Sequence, residues 1–442
     1  MADHLGIGTM VVEQHEMITD ALDLFSLPTI ERALISGREQ IYYPVGGSIT
    51  ESGPWEIYIP NDSHEFIQTN SITLHGVAKI VKAGADPNVL VTDQISVVNN
   101  MPQALFSQID VSLNRVIVND QANTLYHYKA YLENHYSYGK SIKDTTLKAL
   151  EKYEKDEVGK EEDYAGTGLV NRRAWIVGGS KIHFAMKIHN DFLQCAKYLM
   201  PGVEIKLLLK KNEPGFPLMA AVDDAAKFVL EKLEVRLQKL TVEPEYTAKM
   251  EAALSSMPAM YPIAHSKLRT HLLAAGTKNI NIPNILRGRL PRGFIVFMVG
   301  NDAFSGSIKK NPYLFKHHSL NFMNAYVNGE PLHPNGNKPN WTDGSAIEQY
   351  KNMLDNTGLK SFVSNGITLE DFVSNSVCFA YDLTPDKCNS YQSHGSETGN
   401  VDIQLGFKTA LTEPVQLLVY ATYDEVVTIN KDREVTVVAS AN

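Results

Sequence analysis

Two stretches of this 442-residue chain repeat one pattern. The first, Ile109-Asp-Val111-Ser-Leu113-Asn114-Arg115, reaches its asparagine at position 114. The second, Met323-Asn-Ala325-Tyr-Val327-Asn328-Gly329, reaches its asparagine at position 328, which is 214 positions later. Apolar and polar residues alternate in both, so each run reads as a half-buried β-strand. Both runs end in an Asn-led turn. Asn114 and Asn328 tolerate the left-handed backbone of a tight hairpin, and Gly329 adopts it freely. A shared pattern half a chain apart implies two copies of one β-rich module in tandem.

The length fits that reading, because 442 residues exceed one ordinary hydrophobic core. Apolar residues make up 43 % and charged residues 21 %, the profile of a packed globular chain. The formal charge is −9, from 41 basic and 50 acidic side chains. Nucleic-acid binders tend to the opposite sign, since neutralising phosphate drives their affinity. A direct, sequence-specific contact with nucleic acid is therefore not expected. Cys195, Cys378 and Cys388 fit no disulfide framework, which points to a reducing compartment. The start, Met-Ala-Asp-His, lacks the regions of a signal peptide. No apolar run reaches the roughly 18 residues of a membrane span. The sequons at Asn61 and Asn340 read as loop residues.

Residues 10–25 read as a short amphipathic helix, with Val11, Ile18, Leu22 and Phe25 on one stripe and Pro28 ending it. Such an arm either docks on its own domain or reaches a neighbouring subunit or inner layer. Its acidic face argues against an anionic membrane. From 39 to 118, short alternating runs lie between Gly46-Gly47, Gly53-Pro54, Asp86-Pro87 and Asn99-Asn100, the spacing of a sandwich or barrel. Helices are expected over 123–136 and 143–157, the second as a solvated excursion. Strands follow over 171–188, 203–210 and 227–242. Pro244 and Pro258 flank a short helix at 246–256, which reads as a linker. Further strands are expected over 263–274, 293–300, 319–329, 376–383, 400–408 and 415–429. The Pro- and Asn-rich stretch 330–375, with a helix near 345–355, reads as a protruding loop. The resulting division is an arm at 1–28, a first module at 29–242, a linker at 243–260 and a second module at 261–442.

Catalytic patterns are scarce. His183 and His189, read on one strand, lie about 20 Å apart and cannot share a metal. The adjacent pair His317-His318 points to opposite faces of a strand. Gly300-Asn-Asp-Ala-Phe-Ser-Gly306-Ser-Ile-Lys309 lacks the Gly-Lys-Ser/Thr ending of a phosphate loop and reads as a structured turn. There is no Gly-x-Ser-x-Gly elbow and no His-Glu-x-x-His helix. Asp223-Asp224 reads as surface charge and Cys378 as a buried small hydrophobe. Tyr126, Tyr128, Tyr131, Tyr136 and Tyr138 crowd one segment with too few cations for base stacking. Tyrosine buries a ring and keeps a polar tip, so Tyr126, Tyr128 and Tyr131 are expected at a subunit boundary. No catalytic residue, cofactor or metal is expected, and the chain is not read as an enzyme.

Several blocks resemble the capsid proteins of Polinton (Maverick) elements and the related adintoviruses. They are Asp23-Leu-Phe-Ser-Leu-Pro28, Asn99-Asn100 with Leu105-Phe-Ser-Gln-Ile-Asp-Val-Ser-Leu-Asn114, Tyr131-Leu-Glu133 with Ser137-Tyr-Gly139, and Gly166-Thr-Gly-Leu169. In the second half they are Asn301-Asp-Ala-Phe-Ser-Gly-Ser307, Asn311-Pro-Tyr-Leu-Phe-Lys-His317 and Tyr381-Asp-Leu-Thr-Pro-Asp386. Order and spacing hold over about 23–430; the N-terminal arm, 152–163 and 331–345 depart from the pattern. The resemblance implies an all-β chain of two tandem eight-stranded jelly-roll sandwiches, a double jelly roll, with helical loop excursions. It implies a hexon-like major capsid protein. Three copies would form a pseudo-hexameric homotrimer, and trimers would tile an icosahedral shell around double-stranded DNA.

The partners so implied are the chain itself, within and between trimers, and penton or minor capsid proteins. An internal membrane is not indicated. The implied location is the virion, after synthesis in the host cytoplasm and assembly there or in the nucleus. The resemblance supplies no catalytic or metal residues. Three other classes stay open on sequence. A pentameric vertex protein would usually carry one jelly roll. A carbohydrate-binding or glycosidase sandwich would need an aromatic platform or opposed carboxylates. A cellular interaction module derived from a captured element is a third.

Overall fold

The computed structural model describes residues 32–47, 49–61, 64–84, 86–119, 125–223, 226–342, 346–357, 365–385 and 397–439. The expected arm at 1–28, Asp224 and Cys388 lie outside these residues. The first half contains β1 (Leu34–Tyr42), β2 (Trp55–Ile59), β3 (Glu65–Lys82), β4 (Ile95–Val97), β5 (Phe106–Leu113), β6 (Val116–Ile117), β7 (Lys181–Lys187), β8 (Ile205–Lys211), β9 (Leu218–Ala220) and β10 (Ala226–Val242). The second contains β11 (Ala259–Leu273), β12 (Asn279–Arg289), β13 (Gly293–Gly300), β14 (Leu320–Val327), β15 (Glu330–Pro331), β16 (Cys378–Asp382), β17 (Thr398–Phe407), β18 (Val415–Ile429) and β19 (Val435–Ala439). A helix, Pro244–Leu254, joins the halves.

Each half is built on two antiparallel sheets of four strands, and β19 adds a fifth to one sheet of the second half. In the first, the orders are β1-β10-β3-β7 and β2-β8-β5-β6; in the second, β11-β18-β13-β16 and β12-β17-β14-β15. Setting aside β4, β9 and β19, the eight strands of each half follow one rule by rank in the chain. The first pairs with the eighth, then the third, then the sixth; the second pairs with the seventh, then the fourth, then the fifth. That is the jelly-roll order, and it occurs twice. β4 pairs with β9, and β19 pairs with the far end of β18.

The two echoing stretches are the same hairpin of the two sandwiches. β5 turns into β6 through Asn114 and Arg115, with φ of 44° and 74°; β14 turns into β15 through Asn328 and Gly329, with φ of 52° and 87°. Two consecutive positive φ values are what a two-residue hairpin of the twisted type requires. Both asparagines make the same further contacts. Asn114 N donates to Glu204 O, and Asn114 Oδ1 accepts from Glu204 N. Asn328 N donates to Asn400 O, and Asn328 Oδ1 accepts from Asn400 N. The repeat therefore extends from side-chain type to hydrogen-bond pattern.

Alternation places one side-chain set of the longer inner strands between the sheets. In the first sandwich Ile57, Ile59, Leu74, Ile80, Val111, Leu207, Leu209 and Val235 are fully buried. In the second, Val296, Met298, Met323, Ala325, Ile403, Leu405, Leu417 and Val419 form a separate core. At roughly 1.5–3 kcal/mol per large apolar side chain, these interiors supply the main favourable contribution to folding. The core of the first sandwich does not stop at its own sheets. It runs on through Tyr128, Phe304, Tyr313, Phe315, Phe297 and Leu418, so the junction of the two halves is packed like an interior.

Some sequence expectations are corrected. The stretch 171–188 is a strand only from Lys181, because Thr167–Arg173 is a helix. Helix beyond Lys140 stops at Leu150, and Lys152 takes a positive φ of 55°. That excursion is not simply solvated, since Lys143, Leu147, Glu151 and Tyr153 are buried. His189 lies past the end of β7 rather than on it. Strand β12, whose alternation Asn279-Ile-Asn-Ile282 is interrupted at Pro283, was not expected.

The buried seam between the two sandwiches

The connection from β6 to β7 supplies a helix, Tyr126–Leu132, that continues into a π-helical turn, Glu133–Ser137. Tyrosines at 128, 131 and 136 put rings along one side of it, and the second half supplies rings to meet them. Tyr131 stacks on Tyr313, with centroids 4.1 Å apart and planes 6° apart. Tyr128 lies between Phe304 at 5.8 Å and Tyr313 at 5.9 Å. Tyr136 packs on Phe297 at 5.4 Å and donates to Ser376 O at 2.8 Å. Tyr126 donates to Gln103 Oε1 at 2.7 Å and accepts from His189 N.

Tyr126, Tyr128 and Tyr131 were expected at a subunit boundary. They are 7 %, 0 % and 6 % exposed in the single chain, so they have almost no surface to offer another subunit. Tyr128 and Tyr131 lie at an internal boundary, against Phe304 and Tyr313 of the second sandwich, whereas the Tyr126 hydroxyl bonds within the first half. The residue-type argument, an amphipathic ring at an interface, holds for an interface within one polypeptide.

Beside the rings lies a network of charges shared by both halves. Lys129 Nζ is 2.5 Å from Asp191 Oδ1 and 3.9 Å from Glu133. Asp191 also accepts from Ser266 N at 3.0 Å and Ser266 Oγ at 2.9 Å, and lies 3.2 Å from His265 Nδ1. Glu133 is 2.6 Å from His189 Nδ1 and accepts from the Tyr420 hydroxyl at 3.0 Å. Burial alone would raise the Asp191 carboxyl; Lys129 and His265 more than offset it and hold the group below its ordinary range. Burial likewise opposes ionisation of Glu133, and Lys129 and His189 reverse the sign.

A second clasp comes from residues 151–163. Lys155 pairs with Asp371 at 2.5 Å, Glu161 accepts from Asn375 Nδ2 at 2.9 Å, and Asn311 N donates to Glu162 at 3.1 Å. Arg172, fully buried, ties the strap to the first sandwich through Val97 O and Asp156. On the far side, Gly215 and Gly306 bring the two backbones together, and Ala220 N donates to Ile308 O at 2.8 Å. The Gly300–Lys309 turn is thus a piece of the seam. Asp223, paired with Lys309 at 2.6 Å, is exposed surface charge.

Lys143 is a buried charge held by neutral groups. It is 4 % exposed, and its ammonium donates to His135 O and, at 2.6 Å, to Asn365 O, both neutral carbonyls. Burial, aided by Lys155, pulls it from 10.5 down to about 7. A lowered folded value means the unfolded chain holds more protons between about 7 and 10.5, so stability rises with pH across that window. The slope approaches about 1.4 kcal/mol per pH unit. Lys143→Met is expected to flatten it. Denaturant midpoints of both proteins at pH 7, 8 and 9 check this; parallel profiles would contradict it.

One trio has the outline of a catalytic site. Ser376 Oγ is 2.9 Å from His135 Nε2, and His135 Nδ1 is 2.7 Å from the Tyr153 hydroxyl. Ser376 is 1 % exposed, however, and burial holds His135 well below its ordinary value. A nucleophile that no substrate reaches is a structural link, here between the strap and the second sandwich. Among the described residues, no group of three or more His, Cys, Asp or Glu is placed to hold a metal. Cys195 and Cys378 are buried thiols, and burial raises Cys378. Asp191 and its partners Ser266 and His265 had no sequence signal, since they lie far apart in the chain.

No family model matches the sequence. An uncharacterized protein of Caenorhabditis elegans is 23 % identical over 392 residues, covering 86 % of this chain and 91 % of that protein. Among solved structures, the PBCV-1 virus capsid matches with a TM-score of 0.60 at 12 % identity, over 94 % of this chain and 99 % of that one. A chain of the Sputnik virophage matches at 0.58 and 10 % identity, over 96 % and 93 %. The mavirus major capsid protein matches at 0.52 and 11 % identity, over 97 % and 96 %. At these identities the likeness is one of fold, and it spans both sandwiches together: the chain is a double jelly roll, built as those virion chains are.

Proposed function

We propose that this chain is a major capsid protein of the Polinton and adintovirus type. Three copies form a pseudo-hexameric trimer, and trimers tile an icosahedral shell around double-stranded DNA. The observation that carries the reading is the doubled strand order within one chain. A single jelly roll is one wall segment; two of them, locked by a packed seam, let a three-fold assembly present six near-equivalent sides. Closing each pair of sheets on itself also shields most strand edges, which suits a protein made in many copies. The virion chains of like fold support the reading, and a relative in a nematode fits an element resident in an animal genome.

Trimer interfaces of this kind bury on the order of 2,000–5,000 Å². Contacts between trimers, and with penton and minor capsid proteins, are individually weaker and add up in a closed shell. The working location is the virion, with synthesis in the host cytoplasm. Sedimentation of the purified chain tests the stoichiometry. The expected mass is three times the 49.1 kDa of one chain. A five-fold multiple would point to a vertex protein, and a monomer at every concentration would contradict the reading.

A further inference from the structure

The two sandwiches use one equivalent face in opposite ways. In the second, the outer side of sheet β11-β18-β13-β16 carries Phe297, Leu418 and Tyr420, and the β6–β7 connection of the first sandwich covers it through Tyr136 and Glu133. In the first, the matching side of sheet β1-β10-β3-β7 is covered only in part among the described residues, by Ala149–Lys152 near the buried Glu234. Ile41 on its rim is 41 % exposed, and the Lys181 and Lys232 side chains are 54 % and 52 % exposed. A groove of about 390 Å³ runs between this sheet and Ala149–Lys152.

The open face is basic in an acidic chain. Register puts Lys79, Lys181, Lys187, Lys227, Lys232 and Arg236 on it, against Glu39, Glu231 and Glu234. Where the equivalent face is covered within one polypeptide it is apolar; where it is open it is charged. That difference has a physical reason. The seam closes as one chain folds, whereas a contact between finished subunits must wait in water, where a large apolar face would aggregate.

We propose that this basic face is the docking surface for a second copy of the chain, which lays on it the exposed side of its helix Ile347–Asn356. The inference rests on the trimeric reading above and names its contact. Equivalence selects the helix: it lies in the β15–β16 connection, as Tyr126–Leu132 lies in the β6–β7 connection that covers the second sandwich. Its free side carries Ile347, 61 % exposed, with the Glu348 and Asp355 side chains 59 % and 54 % exposed. Lys351 shares that side, paired to Asp355 at 2.6 Å. Acid thus meets base, and a head-to-tail contact repeated by each copy is the kind that closes a ring.

The test is charge reversal and its repair. Lys181→Glu with Lys232→Glu is expected to raise the protein concentration at which trimers form by at least about tenfold at 0.15 M salt. Adding Glu348→Lys and Asp355→Lys in the same chain is expected to restore the trimer. Thermal unfolding of each variant confirms that the sandwiches stay folded. Wild-type trimers that also weaken as salt rises support an ionic contact. A doubly reversed variant that trimerises like wild type, or a swap that restores nothing, overturns the surface while leaving the trimer itself standing. Wild-type protein that never exceeds the mass of one chain overturns both. Binding of a short DNA duplex to the same lysines, with trimers unaffected by their reversal, assigns the face to a polyanion and overturns the proposal.

Discussion

Replacing Gly215 by alanine is expected to force the two sandwiches apart and lower stability by about 4 kcal/mol or more, at the extreme end for one methyl group. A Cβ at Gly215 would lie 1.7 Å from Gly306 O, 2.4 Å from Gly306 C and 3.0 Å from Ile308 N. All three are backbone atoms, so no side-chain rotation relieves the overlap. Gly306 is itself held with φ of +83° against the Phe216 ring, and the Ala220–Ile308 hydrogen bond sits nearby. Calorimetry is expected to show one transition in the wild type splitting into two as the sandwiches lose their coupling. Gly300→Ala is the control, because its Cβ would meet only Glu413 Oε1, at 3.7 Å. A Gly215→Ala protein that melts with the control would show that the seam is looser than described.

Asp191→Ala is expected to cost about 3–5 kcal/mol, the usual effect of removing one partner from a buried ion pair. Lys129 would lose its nearest carboxylate, and Ser266 N and Oγ would lose their acceptor. The wild-type network also sets an acid limit. Asp191 has a depressed folded value, so its contribution is complete above the ordinary 3.8 and is lost as pH falls through the folded value. The difference in unfolding free energy between wild type and Asp191→Ala is therefore expected to be largest near neutrality and to shrink in strong acid. Denaturant titrations at pH 7 and below pH 3 check this. A difference that stays constant would remove the ionisation of Asp191 from the account.

The sequence already carried much of this architecture. The echo at Asn114 and Asn328 was legible because a two-residue hairpin demands positive φ at both central residues, which few residues tolerate. Long alternating strands such as β3 and β18 were legible because one of their faces is apolar along most of its length. The tyrosine segment reads as a subunit boundary, and in the single chain it is buried; nothing local distinguishes a boundary between chains from one between halves of a chain. Asn99 and Asn100 do form a turn, with Asn100 at a positive φ of 56°, but it is a buried one, with Asn99 Oδ1 accepting from Glu154 N. The stretch 143–157 looks solvated because it is charged, yet Lys155 pairs with Asp371, more than 200 positions away, and the residues just beyond it, Glu161 and Glu162, meet Asn375 and Asn311. Charge pattern reports exposure only when no distant partner exists, and pairing of that range is a property of topology.

Electron-microscopy class averages and a reconstruction of the concentrated, untagged protein address the central claim most directly. The account predicts a three-fold particle with six lobes in its outline, each chain supplying two adjacent lobes joined through the Tyr131–Tyr313 stack. A five-fold ring, or isolated two-lobed chains at every concentration, would contradict it.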